Sequence, residues 1–372
     1  MTISISVNGL AFENFTSATV KIALDEISGS FLFTAVSTEG QRLPFENGDA
    51  CKILVNGQAV IDGFIEKLDY SYSDQAHSIN VSGRDKTADL IDSTINGIKL
   101  SPPISLKQAI KKVLSDIGAT AIDVIDSVGV QNFSKAEEKL SGSVGQNAFE
   151  FCEQLARKRQ VLLTRSAGNI EITNGSGIDS GASVQNLIDS DTNNILSASV
   201  SYDLTQRFGK YIVKSQLNPV ALNYAGETPA QEVTQQSGQT VDKNVRQSRQ
   251  LVIKAENSSS SEQARKRAIW SANIRKARGR IYSCTVEGFE NSVGNLYSPN
   301  QLIQVADEFA EISAKMLLNS VEFTFDVEGG SNSNLSFVDS NAYTLELSEP
   351  QVEKVGAASI PVFDASRIKR PT

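Results

Sequence analysis

The sequence predicts an α+β protein, mainly β. Two strand-rich blocks, residues 1–98 and 176–347, flank a small α/β unit at 99–175, and an extended arm closes the chain over 348–372. Three observations carry this reading. Short alternating apolar runs broken by turn residues fill the first block and return after about residue 196; strands at that spacing suggest a barrel or a sandwich. The apolar period becomes helical after Pro102-Pro103 and again near Asn147. With 372 residues, the chain has room for two or three domains at ~100–200 residues each.

In the first block, "CKILVNGQAVIDGFIEKL" sets Asn56-Gly57 between two alternating runs. Asn-Gly suits the turn that needs positive φ at both central positions, so a hairpin is expected. A second hairpin follows, with Leu68, Tyr70 and Tyr72 on one arm, "SDQA" at the turn, and His77, Ile79 and Val81 on the other. "VSGRDKTADLIDSTI" then reads as a strand end, a tight turn at Gly83 and a short helical turn burying Leu90 and Ile91. In the central unit, Leu106, Ala109, Ile110, Val113, Leu114 and Ile117 form one apolar stripe. Ser105 and Gln108 make a capping box at its start, and Gly118 stands where the helix should stop. A second helix starts near Asn147 with Ala148, Phe151, Cys152 and Leu155 on its face, and "VLLTRSAGNIEIT" is a hairpin turning at Ser166 to Asn169. "ILSASVSYDLTQRFGKYIVKSQ" returns to strand alternation. Residues 217–245 are polar and read as a long loop, a helix is expected near 260–278 with Trp270, Ile274 and Ala277 on one side, and strands continue from Ile281 to about Leu347.

The composition excludes several chemistries. There is one histidine, His77, so any Ser-His-Asp or Cys-His nucleophile must use it, and a His-rich metal site is impossible. Its nearest carboxylate in sequence, Asp74, sits in a turn and serves backbone N–H groups. Three widely separated cysteines, Cys51, Cys152 and Cys284, fit neither a zinc knuckle nor a disulfide framework. "GRDKT" lacks the glycines of a phosphate loop, which needs consecutive backbone N–H groups curled around the ligand. Glu137-Glu138 and Asp189/Asp191 are not a glycosidase pair by adjacency alone. No catalytic, cofactor-binding or metal residue is assigned. The start of the chain lacks a signal-peptide pattern, and no apolar run approaches the ~18 residues of a membrane span.

Net charge is -8, from 35 basic and 43 acidic residues, which is poor for general nucleic-acid binding. The strongest local charge feature is basic: Arg265, Lys266, Arg267, Arg275, Lys276 and Arg278 fall on one expected helix, with Arg280 at its exit. A DNA-facing helix, a solvated face, and a helix pairing with acids of a neighbouring subunit or partner all fit; the abundance of acids favours the last.

Several stretches together resemble one family. "GRDKTADLIDSTI", "SVGQNAFEFCEQLARKRQVLLTRSAGNIEIT", "SYDLTQRFGKYIVKSQ", "ARKRAIWSANIRKARGRIYSCTVEGF" and "NLYSPNQLIQVAD" are similar, in this order, to segments of phage Mu-type baseplate hub proteins, the hubs of contractile tails and Mu-like prophages. The resemblance spans nearly the whole chain and is weakest at 217–245 and beyond 350. It implies two small β-barrel domains per chain, a homotrimer forming a pseudo-hexameric collar, partners in the tail tube protein and the central spike protein, and DNA passing through without specific binding. It also implies a place in the virion tail baseplate, after assembly in the bacterial host cytoplasm. No membrane insertion or cofactor is implied. Acidic residues are expected to line the bore. The alternatives are a tail-associated peptidoglycan hydrolase, which one histidine argues against, and a carbohydrate-binding module, which one tryptophan on a helix supports little.

Overall fold

A computed structural model describes residues 2–37, 43–73, 77–134, 140–188, 190–216, 235–255 and 261–344. The mainly β class is as expected, and the two strand-rich halves prove to be joined. A single 13-stranded sheet runs through both, and its strand pairings form an open path with one branch, at Ile312–Asp326.

The halves repeat one topology. Apart from the short edge strand Leu10–Phe12, which has no counterpart in the second half, the first contributes, in chain order, Ile3–Val7, Ser17–Ala23, Ser30–Ser37, Ala50–Val55, Gln58–Tyr72 and His77–Asp85. The second contributes Ile178–Asn186, Ile195–Tyr202, Arg280–Glu287, Gln301–Asp307, Ile312–Asp326 and Gly330–Asp339. Ranked by chain order within its half, each set lies in the sheet as second, third, sixth, fifth, fourth, first. In each, the fifth strand is 15 residues long and carries a register shift midway, between Ile65 and Lys67 or between Leu318 and Ser320. Such an irregularity bends a strand, so one strand pairs with different neighbours along its length. The repeat departs only at its first strand, which pairs antiparallel in the first half and parallel in the second. Alternation explains the burial: Phe31, Phe33, Val20 and Ile22 face a core shared with Tyr282, Cys284, Val321, Phe323 and Phe337.

The local expectations are met at several points. Asn56 and Gly57 have φ of 47° and 78°, the two positive values the hairpin turn requires. The helix Leu106–Asp116 begins with both reciprocal bonds of the Ser105–Gln108 capping box. The helix Ala148–Lys158 is capped by Asn147, whose side chain accepts the Glu150 N–H. These helices pack with the hairpin Leu162–Ser166 and Asn169–Thr173 around a separate core centred on Leu106, Ile110, Phe133, Phe151 and Leu155.

Four expectations change. Gly83 is not a turn; the strand runs through it to Asp85. The first block stops there, because Thr94–Lys99 pairs with Ser141–Asn147 of the central unit. Part of the expected loop 217–245 is strand: Gln235–Val241 pairs antiparallel with Lys210–Gln216, which also pairs parallel with Gln250–Lys254. Residues 176–347 therefore hold two sheets, since this three-stranded sheet and the helix Ser261–Arg278 form an insertion with its own small core of Tyr211, Val213, Ala264 and Ala268. Alternation alone could not see the change of sheet at residues 203–209, because both sheets use the same period. Residues 217–234, Asp74, Glu137, Glu138, Asp189 and the arm at 348–372 lie outside the described residues.

All three cysteines are buried and unpaired with one another. Burial pushes each thiol up to about 12, with nearby carboxylates adding to the effect at Cys51 and Cys284. They are packing residues, since the thiolate is the reactive form.

Candidate assembly interface

The segment "GRDKT" is a structural joint, and each residue has a mechanical task. At Gly83 a Cβ would lie 2.0 Å from the Phe64 carbonyl oxygen and 2.6 Å from the Phe31 ring, so the strands close only over glycine. Arg84 reaches Glu66 at 2.7 Å and also pairs with Asp92. Asp85 is buried and accepts from the Gly29 N–H at 3.1 Å, the Asp62 N–H at 3.0 Å and the Arg165 guanidinium of the central hairpin. Lys86 pairs with Asp62 at 2.8 Å, and the buried Thr87 hydroxyl donates to the Ile27 carbonyl at 2.7 Å. The Lys86 ammonium and the Thr87 hydroxyl, which a phosphate would use, are thus committed within the chain, and the segment fixes the central unit on the first half of the sheet.

The two halves meet along one strand pair. Ser17–Ala23 pairs antiparallel with the last seven residues of Ile312–Asp326, Val20 opposite Phe323. Besides Leu10–Phe12, Ile178–Asn186 and short strand ends, two stretches of the main sheet have a strand on one edge only, among the described residues. One is Ile195–Tyr202, which pairs with Arg280–Glu287. The other is the Lys67–Tyr72 portion of Gln58–Tyr72, which pairs with His77–Asp85. Open edges present unpaired backbone donors and acceptors and are where sheets join other chains.

The basic run is mostly engaged inside the chain. Arg267 lies over the Trp270 ring at 4.8 Å, and Arg275 lies 5.5 Å from the Phe208 ring and donates to the Gln206 carbonyl at 3.4 Å. Lys266 pairs with Glu262 at 3.0 Å, and Arg278 with Asp25 at 3.4 Å. Arg265 is exposed, and its backbone packs against Gly238. Lys276 is half-buried. The structure does not gather the six side chains into one patch: the helix is gripped on several sides, with Ala264, Ala268, Trp270, Asn273 and Ala277 all buried.

Catalytic geometry finds no support. His77 stacks on Tyr72, centroids 6.2 Å apart, at the end of its strand. One cleft of about 340 Å³ opens between the first sheet, the central hairpin and the loop at 295–300. Its lining holds Arg165 and a single carboxylate, Glu171, whereas glycoside hydrolysis needs two. Among the described residues, no three His, Cys, Asp or Glu side chains gather to hold a metal ion, and no helix is long and apolar enough to cross a membrane.

Comparison with known proteins agrees with the sheet anatomy. Residues 2–85 match the family model for the N-terminal domain of Mu phage baseplate assembly protein GpP-like, and residues 260–346 match that for the fourth domain of Mu phage baseplate assembly protein GpP. The baseplate hub protein gp44 of Escherichia phage Mu is 22% identical over 369 residues, covering 98% of this chain and 94% of that protein. The chain is similar to Mu-type baseplate hub proteins over nearly its whole length. Among solved structures, the 43 kDa tail protein of prophage MuSo2 from Shewanella oneidensis is 26% identical with a TM-score of 0.74, covering 92% of this chain and 99% of that one. A tail protein from Neisseria meningitidis shares the fold at 16% identity and a TM-score of 0.76, over 92% and 98% of the two chains. The first matched segment ends at Asp85, where the first half of the sheet ends. The second begins at the helix of the insertion and takes in the four last strands of the repeat.

Proposed function

We propose that three copies of this structural baseplate protein assemble head to tail into a ring that joins the tail tube to the central spike of a contractile tail. The ring would stand in the virion baseplate after assembly in the host cytoplasm, and it would let DNA through without holding it. The observation that carries the reading is the repeat of six strands in one order, because two equivalent units per chain let a three-fold ring present six similar edges. Whether each unit closes as a barrel is part of the proposal. Exposed Arg265 is the member of the basic run best placed to meet a partner subunit.

Passage of DNA is supported by the solvent face of the main sheet. Its outward rows are rich in Ser, Thr and Asn: Ser197, Ser199, Ser283, Thr285, Asn334, Ser336, Ser320, Thr324, Thr19, Thr34, Asn80 and Ser82 lie on them, with Glu322, Lys21 and Leu32 in between. Some of these groups bond to one another, with Thr285 donating to Asn334 at 2.8 Å and Asn334 to Glu322 at 3.0 Å. Binding a phosphate backbone needs clustered cations. On this face Arg84 is spent on Glu66, Lys67 on Asp69 at 2.6 Å, and Lys21 on Glu26 at 3.0 Å. A bore built from it would offer DNA no cluster of unpaired cations, and the acids that stand with these three cations outnumber them.

Light scattering on the purified chain at tens of micromolar is expected to give the mass of three chains; a monomer at high concentration sinks the ring. Incubation with purified peptidoglycan is expected to release nothing above the buffer blank. Clear turnover would favour the hydrolase, for which no observation here speaks.

A further inference from the structure

We infer that Ile195–Tyr202 of one copy adds antiparallel to the Lys67–Tyr72 edge of the next copy, with Val200 opposite Tyr70. This rests on the ring reading above and names the strands and the register that would build it.

The register follows from the repeat. In the first half, Gly83 is partnered by Phe31, and Phe31 by Val20. In the second half, Phe337 is partnered by Tyr282, and Tyr282 by Val200. Gly83 and Phe337 are themselves equivalent, since they face Ile65 and Leu318 at the matching register shifts of the two long strands. Val20 and Val200 therefore hold the same place, and the local sequences agree: "SATV" at 17–20 and "SASV" at 197–200. By the same shifts Lys67 corresponds to Ser320, so Leu68, Tyr70 and Tyr72 correspond to Val321, Phe323 and Phe325.

Within the chain, the first-half member of one set already pairs with the second-half member of the other: Ala18 with Phe325, Val20 with Phe323, Ile22 with Val321. The reciprocal combination, second-half Ile195–Tyr202 with first-half Lys67–Tyr72, has no partner strand among the described residues. Transferring the observed joint places Ala198 opposite Tyr72, Val200 opposite Tyr70 and Tyr202 opposite Leu68.

Exposure supports the transfer. Ala18, Ile22 and Phe323 are 2%, 3% and 0% exposed, covered by the joint they make. The counterparts of Ile22 and Phe323, Tyr202 and Tyr70, are 66% and 43% exposed, and Tyr72, the counterpart of the partly buried Phe325, is 84% exposed. Exposed aromatics at sheet edges mark surfaces that another chain can cover. The strand "ILSASVSY" also carries no charge and no proline, the devices that keep an edge from pairing. The two edges lie at opposite ends of an eight-strand run, with six strands between them, and are not paired with each other within the chain. Head-to-tail joining of different surfaces closes a ring when the rotation allows it.

Paired cysteines test the register. The double variants Val200→Cys/Tyr70→Cys and Ala198→Cys/Tyr72→Cys are expected to give reductant-sensitive dimers and trimers on mild oxidation of the full chain. Val200→Cys/Asp69→Cys, slipped by one residue and so on opposite faces, is expected to give at least ten-fold less. As a second measurement, Tyr202→Lys is expected to shift the native mass from three chains to one while the circular dichroism spectrum stays unchanged. Trimer mass without cross-linking of either matched pair, or with the slipped pair cross-linking equally, overturns the inference and leaves the ring standing. A monomeric parent overturns both.

Discussion

Asp85→Ala is expected to destabilise the chain by about 3–5 kcal/mol, the range for breaking a buried ion pair from one side. The substitution leaves the Arg165 guanidinium buried without its carboxylate, and it orphans the N–H groups of Gly29 and Asp62. Arg165→Met should cost less, because Asp85 keeps both backbone donors. A double variant, Asp85→Asn with Arg165→Met, should recover part of the loss, since two neutral groups of similar size need no charge partner. Denaturant titrations followed by circular dichroism would rank the three. An Asp85→Ala midpoint equal to the parent's would show that the pair is not what holds the central hairpin to the first sheet. The effect reaches function by geometry: the same joint carries Lys86 on Asp62 and the close approach of Gly168 to Asp62, so loosening it frees the whole central unit from the sheet.

How far the sequence could be read depended on how local each signal was. Caps and turns were legible, because Ser105, Gln108, Asn147 and Asn56-Gly57 act on atoms within three or four residues. The strand class was legible from alternation. The sheet that a strand joins was not, which is why Lys210–Gln216 reads as a continuation of Ile195–Tyr202 when it belongs to the insertion. The role of the basic run was illegible for a similar reason. Whether Arg278 faces a partner or Asp25 depends on a residue some 250 positions away. Gly83 misleads in the other direction: glycine marks turns, but here it marks two backbones in close approach. One signal was available and weak. "SATV" and "SASV" sit 180 residues apart, too short to argue from until the pairings show that they occupy one place in two copies of a topology.

The second large effect is expected at the close approach itself. Gly63 and Gly83 lie on the neighbouring strands Gln58–Tyr72 and His77–Asp85, and each leaves room for the backbone of the other strand. A Cβ on Gly63 would fall 1.9 Å from the Arg84 carbonyl oxygen, and one on Gly83 would fall 2.0 Å from the Phe64 carbonyl oxygen. Those are backbone atoms, so no side-chain rotation relieves the contact; the strands must separate, and the register shift between Ile65 and Lys67 must move with them. Gly63→Ala and Gly83→Ala are each expected to cost about 3 kcal/mol, the upper end for overpacking a closed core. Ser82→Ala, next to Gly83 but on the solvent face, should stay within about 0.5 kcal/mol of the parent. Thermal melts of the three separate the two explanations of the glycines. If Gly83→Ala melts with Ser82→Ala, the strands have slack and the glycine is incidental. If both glycine variants fall together, the crossing of these strands is a fixed point of the sheet. It then also sets where Tyr70 and Tyr72, further along the same strand, would meet the next copy in the proposed ring.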